Sequence, residues 1–168
     1  MILCLTAALG LAGCATHMPL AGEKAPLVEG TDQDGKQWKL SDDIGKNVVL
    51  LYFYPKDDTP GCTAEACDFR DNYQSMLSKG FQVIGVSTDD EKSHKKFETK
   101  YNLPFSLIAD TDKSINEAYG VWVEKNMYGK KYMGTARKTF LIDAGGNITK
   151  IIDKVDTKAA SQQVIDLL

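Results

Sequence analysis

The stretch YFYPKDDTPGCTAEAC, residues 52–67, sets two thiols, Cys62 and Cys67, directly behind a proline–glycine corner. A thiol does chemistry as its thiolate. A free cysteine, with a pKa near ~8.5, is only about 3% thiolate at pH 7. In the first turn of a helix, unpaired N–H groups and the helix dipole stabilise the anion. Complete ionisation would raise the thiolate population by about 30-fold, and a low-pKa thiolate is a weaker nucleophile. A fast thiol reaction at Cys62 therefore also needs donors aimed at the charge that develops on its substrate. The competing reading of Cys62 is a small, buried apolar residue.

Cys67 is informative as a partner. Five residues along an α-helix turn through about 500°, leaving the two side chains about 140° apart with roughly 7.5 Å of axial rise. A disulfide needs Cα atoms within roughly 4.4–6.8 Å, so the pair cannot close while the helix is intact. A permanent bridge over so short a loop would stabilise the fold by only about 2 kcal/mol. The spacing points to a transient disulfide, formed when the first turns unwind.

The chain has only two arginines, Arg70 and Arg137. Arg70 lies between Asp68 and Asp71 and reads equally as a solvated helix ion pair. Arg137 precedes the strand-like KTFLID; it is either a charge at a strand entrance or a fixed cation whose forked donors reach the thiol. The four cysteines and two histidines show no zinc-like spacing, and His17 and His94 lie in polar stretches expected to be exposed.

The elements that must position these groups can be read from the pattern. Residues 31–46 carry an Asp34-Gly35 turn and alternation around Trp38 and Leu40, and read as a β-hairpin. Residues 47–55 are a continuous β-branched and aromatic run, as in a strand buried on both faces, ended by Pro55. Thr59 is placed to N-cap a helix with Pro60 in its first position. That helix is expected to bury Cys62, Ala66, Phe69, Tyr73 and Leu77 and to close at Lys79-Gly80. Strands follow at 81–87 and 105–110, helices at 89–102 and 114–119, a hairpin of 138–143 with 147–153, and a last helix over 158–168. The alternation implies an α/β fold with a mixed sheet covered by helices on both faces, and puts both cysteines just past the end of a central strand.

The chain has 168 residues and a net charge of −3, enough for one domain with a real core and nothing that favours nucleic acid. Residues 1–22 contain no Asp, Glu, Lys or Arg. Their apolar run is too short to span a bilayer and fits a signal-peptide core, and LAGC at 11–14 resembles a bacterial lipobox. This predicts a signal or lipoprotein segment over 1–22 and a catalytic domain over 23–168. The domain would be lipid-anchored through Cys14 to the cell envelope, facing the periplasm. A start at Met18 would instead give a cytoplasmic domain. Under the lipoprotein reading Cys4 leaves with the signal.

PKDDTPGC resembles the active-site signature of the peroxiredoxins at Pro55, Thr59 and Cys62. TPGCTAEACDFRD, KNMYGKKYMG and RKTFLID together are similar to the peroxiredoxin Q subfamily, also called bacterioferritin comigratory protein, from about Gly22 onward. The resemblance implies a thioredoxin-like fold with an N-terminal hairpin and a thiol peroxidase of the atypical 2-Cys type, needing no cofactor or metal. It implies that Cys62 attacks hydrogen peroxide or an organic hydroperoxide to become a sulfenic acid. Pro55 would shield the pocket, and Thr59 with nearby backbone N–H groups would bind the peroxide oxygens. Arg137 would stabilise thiolate and transition state. Cys67 would resolve the sulfenic acid to a Cys62–Cys67 disulfide, reduced by a thioredoxin-like partner, and the protein would be a monomer. Glu65 also matches the motif, though an ordinary surface carboxylate reads equally well there.

Two other functions fit the same chain. A membrane-tethered thiol–disulfide oxidoreductase would use this fold, but with a Cys-x-x-Cys pair that is absent here. A non-catalytic envelope binding module would not need Pro55, Thr59, Cys62 and Arg137 together.

Overall fold

The computed structural model describes residues 17–168. Cys4, Cys14 and the lipobox-like LAGC lie outside the described residues. In chain order the elements are β1 (Glu29–Asp32), β2 (Gln37–Lys39), α1 (Leu40–Asp43), β3 (Val48–Phe53), α2 (Pro60–Asp71) and α3 (Tyr73–Ser78). Then come β4 (Phe81–Ser87), α4 (Glu91–Tyr101), β5 (Ser106–Ala109), α5 (Ser114–Ala118), β6 (Trp122–Met127), β7 (Lys130–Thr135), β8 (Lys138–Ile142), β9 (Ile148–Ile152) and α6 (Ala160–Ile165).

Seven strands form one mixed sheet in the order β2-β1-β5-β4-β3-β8-β9. β3 lies between β4, to which it is parallel, and β8, to which it is antiparallel. That position explains its unbroken apolar run, because successive residues face opposite layers and both layers are covered. Leu50, Tyr52 and Tyr54 join the cluster under α2, α3, α4 and α6. Val49, Leu51 and Phe53 join the opposite cluster, with Leu40 of α1 and Ile115 of α5. Each fully buried side chain of this size contributes about 1.5–3 kcal/mol of transfer free energy.

The Tyr52 ring stacks 5.4 Å from that of Tyr54 and lies 4.9 Å from that of Phe69, which ties β3 to α2. Gly85 on β4 makes this possible: a Cβ there would stand 2.9 Å from the Tyr52 hydroxyl and 2.9 Å from Leu107 Cδ2.

Where the structure departs from the sequence pattern, local hydrogen bonding or packing accounts for it. The single helix expected up to Lys79-Gly80 is two, α2 and α3, broken at Asn72, whose backbone (φ −104°, ψ 8°) is not helical. The Asn72 side-chain amide donates to the Asp68 carbonyl at 2.9 Å, a local bond that competes with helix propagation. The break turns the apolar face, so Met76 is buried and Leu77 is 41% exposed. The expected 31–46 hairpin is a short β1–β2 pair followed by one turn of helix, with Trp38 Nε1 donating to Asp43 at 2.7 Å. The last helix spans only Ala160–Ile165. KNMYGKKYMG forms the β6–β7 hairpin, a second sheet outside the main one.

His94 is the largest reversal: it is fully buried, not exposed. Asp90 caps α4 by accepting from the Ser93 amide at 2.8 Å, and this fixes the helical phase. His94 and Phe97, three apart, then share the inner face, while Lys92, Lys95 and Lys96 point outward.

Candidate active site

The site forms where β3 runs into α2. Thr59 occupies the N-cap position with extended backbone (φ −95°, ψ 155°), and Pro60, whose missing N–H costs nothing there, opens the helix. The first helical hydrogen bond runs from the Thr63 amide to the Thr59 carbonyl at 2.8 Å. The amides of Gly61 and Cys62 precede it and have no partner within the helix. Cys62, the third helical residue, therefore sits among unpaired donors at the positive end of the dipole. It is a free thiol, 2% exposed.

Thr59 does not cap with its side chain. Its hydroxyl donates to the Lys56 carbonyl at 2.8 Å. With its one proton committed, it has only lone pairs left for an incoming molecule. Between Lys56 and Thr59, Asp58 adopts a left-handed backbone (φ 54°), which is unfavourable for a residue with a Cβ. Lys100, at 2.9 and 2.7 Å, and the Tyr101 hydroxyl, at 2.6 Å, hold its carboxylate from α4. Pro55 is half-buried at the start of this loop.

Arg137 enters from between β7 and β8. One terminal nitrogen, Nη2, donates to Cys62 Sγ at 3.2 Å, and the other, Nη1, pairs with Glu65 Oε2. The fork thus spans two side chains three residues apart on one face of α2. Gly61 leaves room for it, since a Cβ there would stand 3.3 Å from Arg137 Nη2.

Glu65 is not a surface carboxylate. Its side chain is fully buried, and Oε1 has no hydrogen-bond partner. Burial pushes its pKa up to about 7, with Arg137 opposing the rise. Burial also holds the Tyr52 phenol well above its usual range, followed by the charges of Glu65, Asp57 and Cys62. Half-buried Lys125 of β6 is shifted down by burial and by repulsion from Arg137.

Cys67, half-buried, lies further along α2 and is likewise a free thiol. Both cysteines belong to one continuous helix. Arg70 is elsewhere: it donates to the Tyr101 carbonyl at 2.7 Å and pairs with Asp71 at 2.9 Å, tying α2 to the end of α4. Among the described residues, no group of three or more His, Cys, Asp or Glu side chains could hold a metal ion.

Cys62, Thr59, Arg137 and Glu65 thus come together, with Cys67 behind them on the same helix. Sequence reasoning missed Asp57 and His94, which underlie the loop. The paired aspartates of PKDDTPGC were the available signal, because two acidic residues in so short a turn need donors from elsewhere in the fold.

The sequence model of the AhpC/TSA family matches residues 21–151. The chain is 50% identical over 137 residues to Peroxiredoxin Bcp of Bacillus subtilis, covering 82% of this chain and 87% of that one. Its fold is similar to that of the Xanthomonas campestris bacterioferritin comigratory protein, solved as a trapped intermediate/ligand complex to study alkyl peroxide reduction. The TM-score is 0.78 at 35% identity, covering 83% of this chain and 88% of that one. A PrxQ mutant of Xylella fastidiosa gives a TM-score of 0.83 at 30% identity, covering 90% and 95% of the two chains.

Proposed function

Since the chain belongs to the AhpC/TSA family and is a thiol peroxidase, with relatives that are Bcp and Q-type peroxiredoxins, we propose that Cys62 is its peroxidatic cysteine and Cys67 its resolving cysteine. The observation that carries the assignment is the Arg137 guanidinium 3.2 Å from a buried thiol at the start of a helix.

The Cys62 thiolate attacks one peroxide oxygen and the O–O bond breaks. The sulfur becomes a sulfenic acid, and the other oxygen leaves with a proton as water or alcohol. Arg137 Nη2 and the unpaired Gly61 and Cys62 amides face the oxygens as charge shifts from sulfur to the leaving group. The Thr59 hydroxyl, with its proton on Lys56, accepts the peroxide O–H and so orients the substrate. Pro55 closes the loop side of the pocket.

After the first turns of α2 unwind, the Cys67 thiol attacks the sulfenic sulfur, and Cys62–Cys67 disulfide and water result. An external dithiol of the thioredoxin-like class returns the two electrons by thiol–disulfide exchange. The domain acts as a monomer, which light scattering of the purified protein tests. Its site is the bacterial envelope, with Cys14 as the lipidated residue. Cys14→Ala should then leave the membrane fraction, whereas a native N-terminus at Met18 refutes the anchor.

Stopped-flow mixing with peroxide, followed by mass spectrometry, tests the cysteine roles. Cys62→Ser should fail from the first turnover. Cys67→Ser should consume one equivalent and stop as a sulfenic acid open to over-oxidation. A first turnover by Cys62→Ser at the wild-type rate would reverse the assignment. Full turnover by Cys67→Ser with a thioredoxin-like reductant would remove Cys67 from resolution.

A further inference from the structure

The loop that carries Pro55 and Thr59 is pinned at Asp57, midway between them. Asp57 is 7% exposed, and three donors converge on its carboxylate. The Tyr54 hydroxyl meets Oδ1 at 2.7 Å; the Ser93 hydroxyl and His94 Nδ1 each meet Oδ2 at 2.8 Å. The Asp57 amide donates to Asp89 Oδ2 at 2.9 Å, and the same oxygen accepts from the Ser87 hydroxyl at 2.7 Å. One aspartate thus joins the end of β3 to the end of β4 and to the first turn of α4.

The far side of His94 fixes its chemistry. Its Nε2 lies 3.1 Å from the Ile108 carbonyl oxygen on β5. A carbonyl and a carboxylate only accept, so each ring nitrogen must bring its own proton, and a neutral imidazole has only one. The Tyr54 and Ser93 hydroxyls both donate to Asp57, so its carboxylate serves as the common acceptor of the cluster. The ring also lies 3.5 Å from the Tyr54 hydroxyl, and Tyr54 is held neutral by burial, its pKa well above the usual range. The titratable groups around the His94–Asp57 pair are thus Tyr54, against both, and Asp89, on the Asp57 amide.

We propose that His94 is a positioning residue for peroxide reduction: a buried imidazolium that, through Asp57, holds the Pro55–Thr59 loop in register with Cys62. This rests on the peroxidatic role of Cys62 given above. Stability alone does not account for the pair. A cation in the first turn of α4 opposes the helix dipole, and well-packed apolar groups often replace a buried ion pair without loss. What the pair supplies is a fixed point. Asp57 is two residues from Pro55 and two from Thr59, and from the same helix Lys100 and Tyr101 hold Asp58 in its left-handed conformation. The loop therefore stays in place while the first turns of α2 open for Cys67.

The charge and the role are tested separately on the reduced, full-length protein. Nitrogen-15 NMR of histidine-labelled wild type should find both His94 ring nitrogens protonated at neutral pH, with His17 as an exposed reference; a neutral His94 ring overturns the charge assignment. In stopped-flow with hydrogen peroxide, His94→Gln and Asp57→Asn should each slow oxidation of Cys62 by about 10- to 100-fold, the range expected for a small misplacement of reacting groups. Formation of the Cys62–Cys67 disulfide afterwards should keep its wild-type rate. The double variant should be no slower than the worse single one, because the two residues act as a unit. Asp57→Asn keeps the shape of the site and serves if His94→Gln does not fold. Equal slowing of oxidation and resolution, or no slowing of oxidation, overturns the positioning role. A wild type inert to peroxide would instead overturn the peroxidase reading and leave the NMR result standing.

Discussion

Glu65 should make the native state less stable as pH rises from mildly acidic to neutral, opposite to the behaviour of an ordinary salt-bridged carboxylate. Burial raises its pKa from 4.5 to about 7. A raised carboxyl pKa means that the native state keeps a proton the unfolded chain has already released. Its stabilising contribution is complete below about 4.5 and is lost as pH rises through about 7. A shift of this size corresponds to about 3 kcal/mol, at about 1.4 kcal/mol per unit. The perturbation is Glu65→Gln in a Cys62→Ser background, where thiol titration and disulfide formation cannot contribute. Glutamine fills the same volume, still accepts from Arg137 and does not titrate. Arg137 stays charged throughout, and its attraction for the ionised Glu65 carboxylate is already contained in the pKa of about 7. The stability of the glutamine variant minus that of its parent should therefore climb by about 3 kcal/mol between pH 4.5 and 7.5 and then level off. Urea unfolding followed by circular dichroism across that range measures it. A flat difference would refute the reasoning. A difference that falls with pH would show that Arg137 stabilises the carboxylate by more than burial costs.

Three further outcomes follow from the same geometry. Arg137→Lys keeps the charge but loses the fork that spans Cys62 and Glu65, so oxidation of Cys62 in stopped-flow should slow about 10²-fold; an unchanged rate would remove Arg137 from the transition state. Gly61→Ala should slow the same step with the helix intact by circular dichroism, because the new Cβ would crowd Nη2 at 3.3 Å; a wild-type rate would show that the guanidinium can shift without loss. Thr59→Val, which lacks the lone pairs, should slow it more than Thr59→Ser, and equal rates for the two would show that the hydroxyl does not accept from the peroxide.

The frame of the fold was legible because β3, β4 and β8 are apolar runs bounded by proline, glycine and charge, and such runs have few alternatives. The thiol site was legible for a related reason: a helix start is written locally, in Thr59, Pro60 and the cysteine just behind them. What was not legible depends on partners distant in sequence. Asn72 breaks a periodic helix with one side-chain bond, and the hydrophobic pattern does not register it. His94 sits in a lysine-rich stretch, and only the α4 phase set by Asp90 and the presence of Asp57, 37 positions earlier, turn it inward. Glu65 reads as a surface residue until Arg137, 72 positions later, is folded over it.

In the proposed cycle the same residues place two opposed demands on α2, and their positions along the helix separate these demands. Oxidation of Cys62 needs the first turn fixed, with Arg137 across it and the loop pinned at Asp57 and Asp58. Resolution needs that turn undone, because Cys62 and Cys67 cannot meet on one intact helix. Phe69, packed at 4.9 Å on Tyr52, anchors the helix beyond Cys67, and Asp57 anchors the chain before Thr59. The segment between these anchors buries few groups besides the two that change partners, Cys62 and Glu65, and Ala66. Unwinding returns the Glu65 carboxyl to water and so recovers the desolvation that raised its pKa. Above about pH 7, where the buried carboxyl must carry its charge, that recovery is complete. Opening of the first turns therefore costs less above about pH 7 than below it, and the rigid loop does not have to move for it to happen.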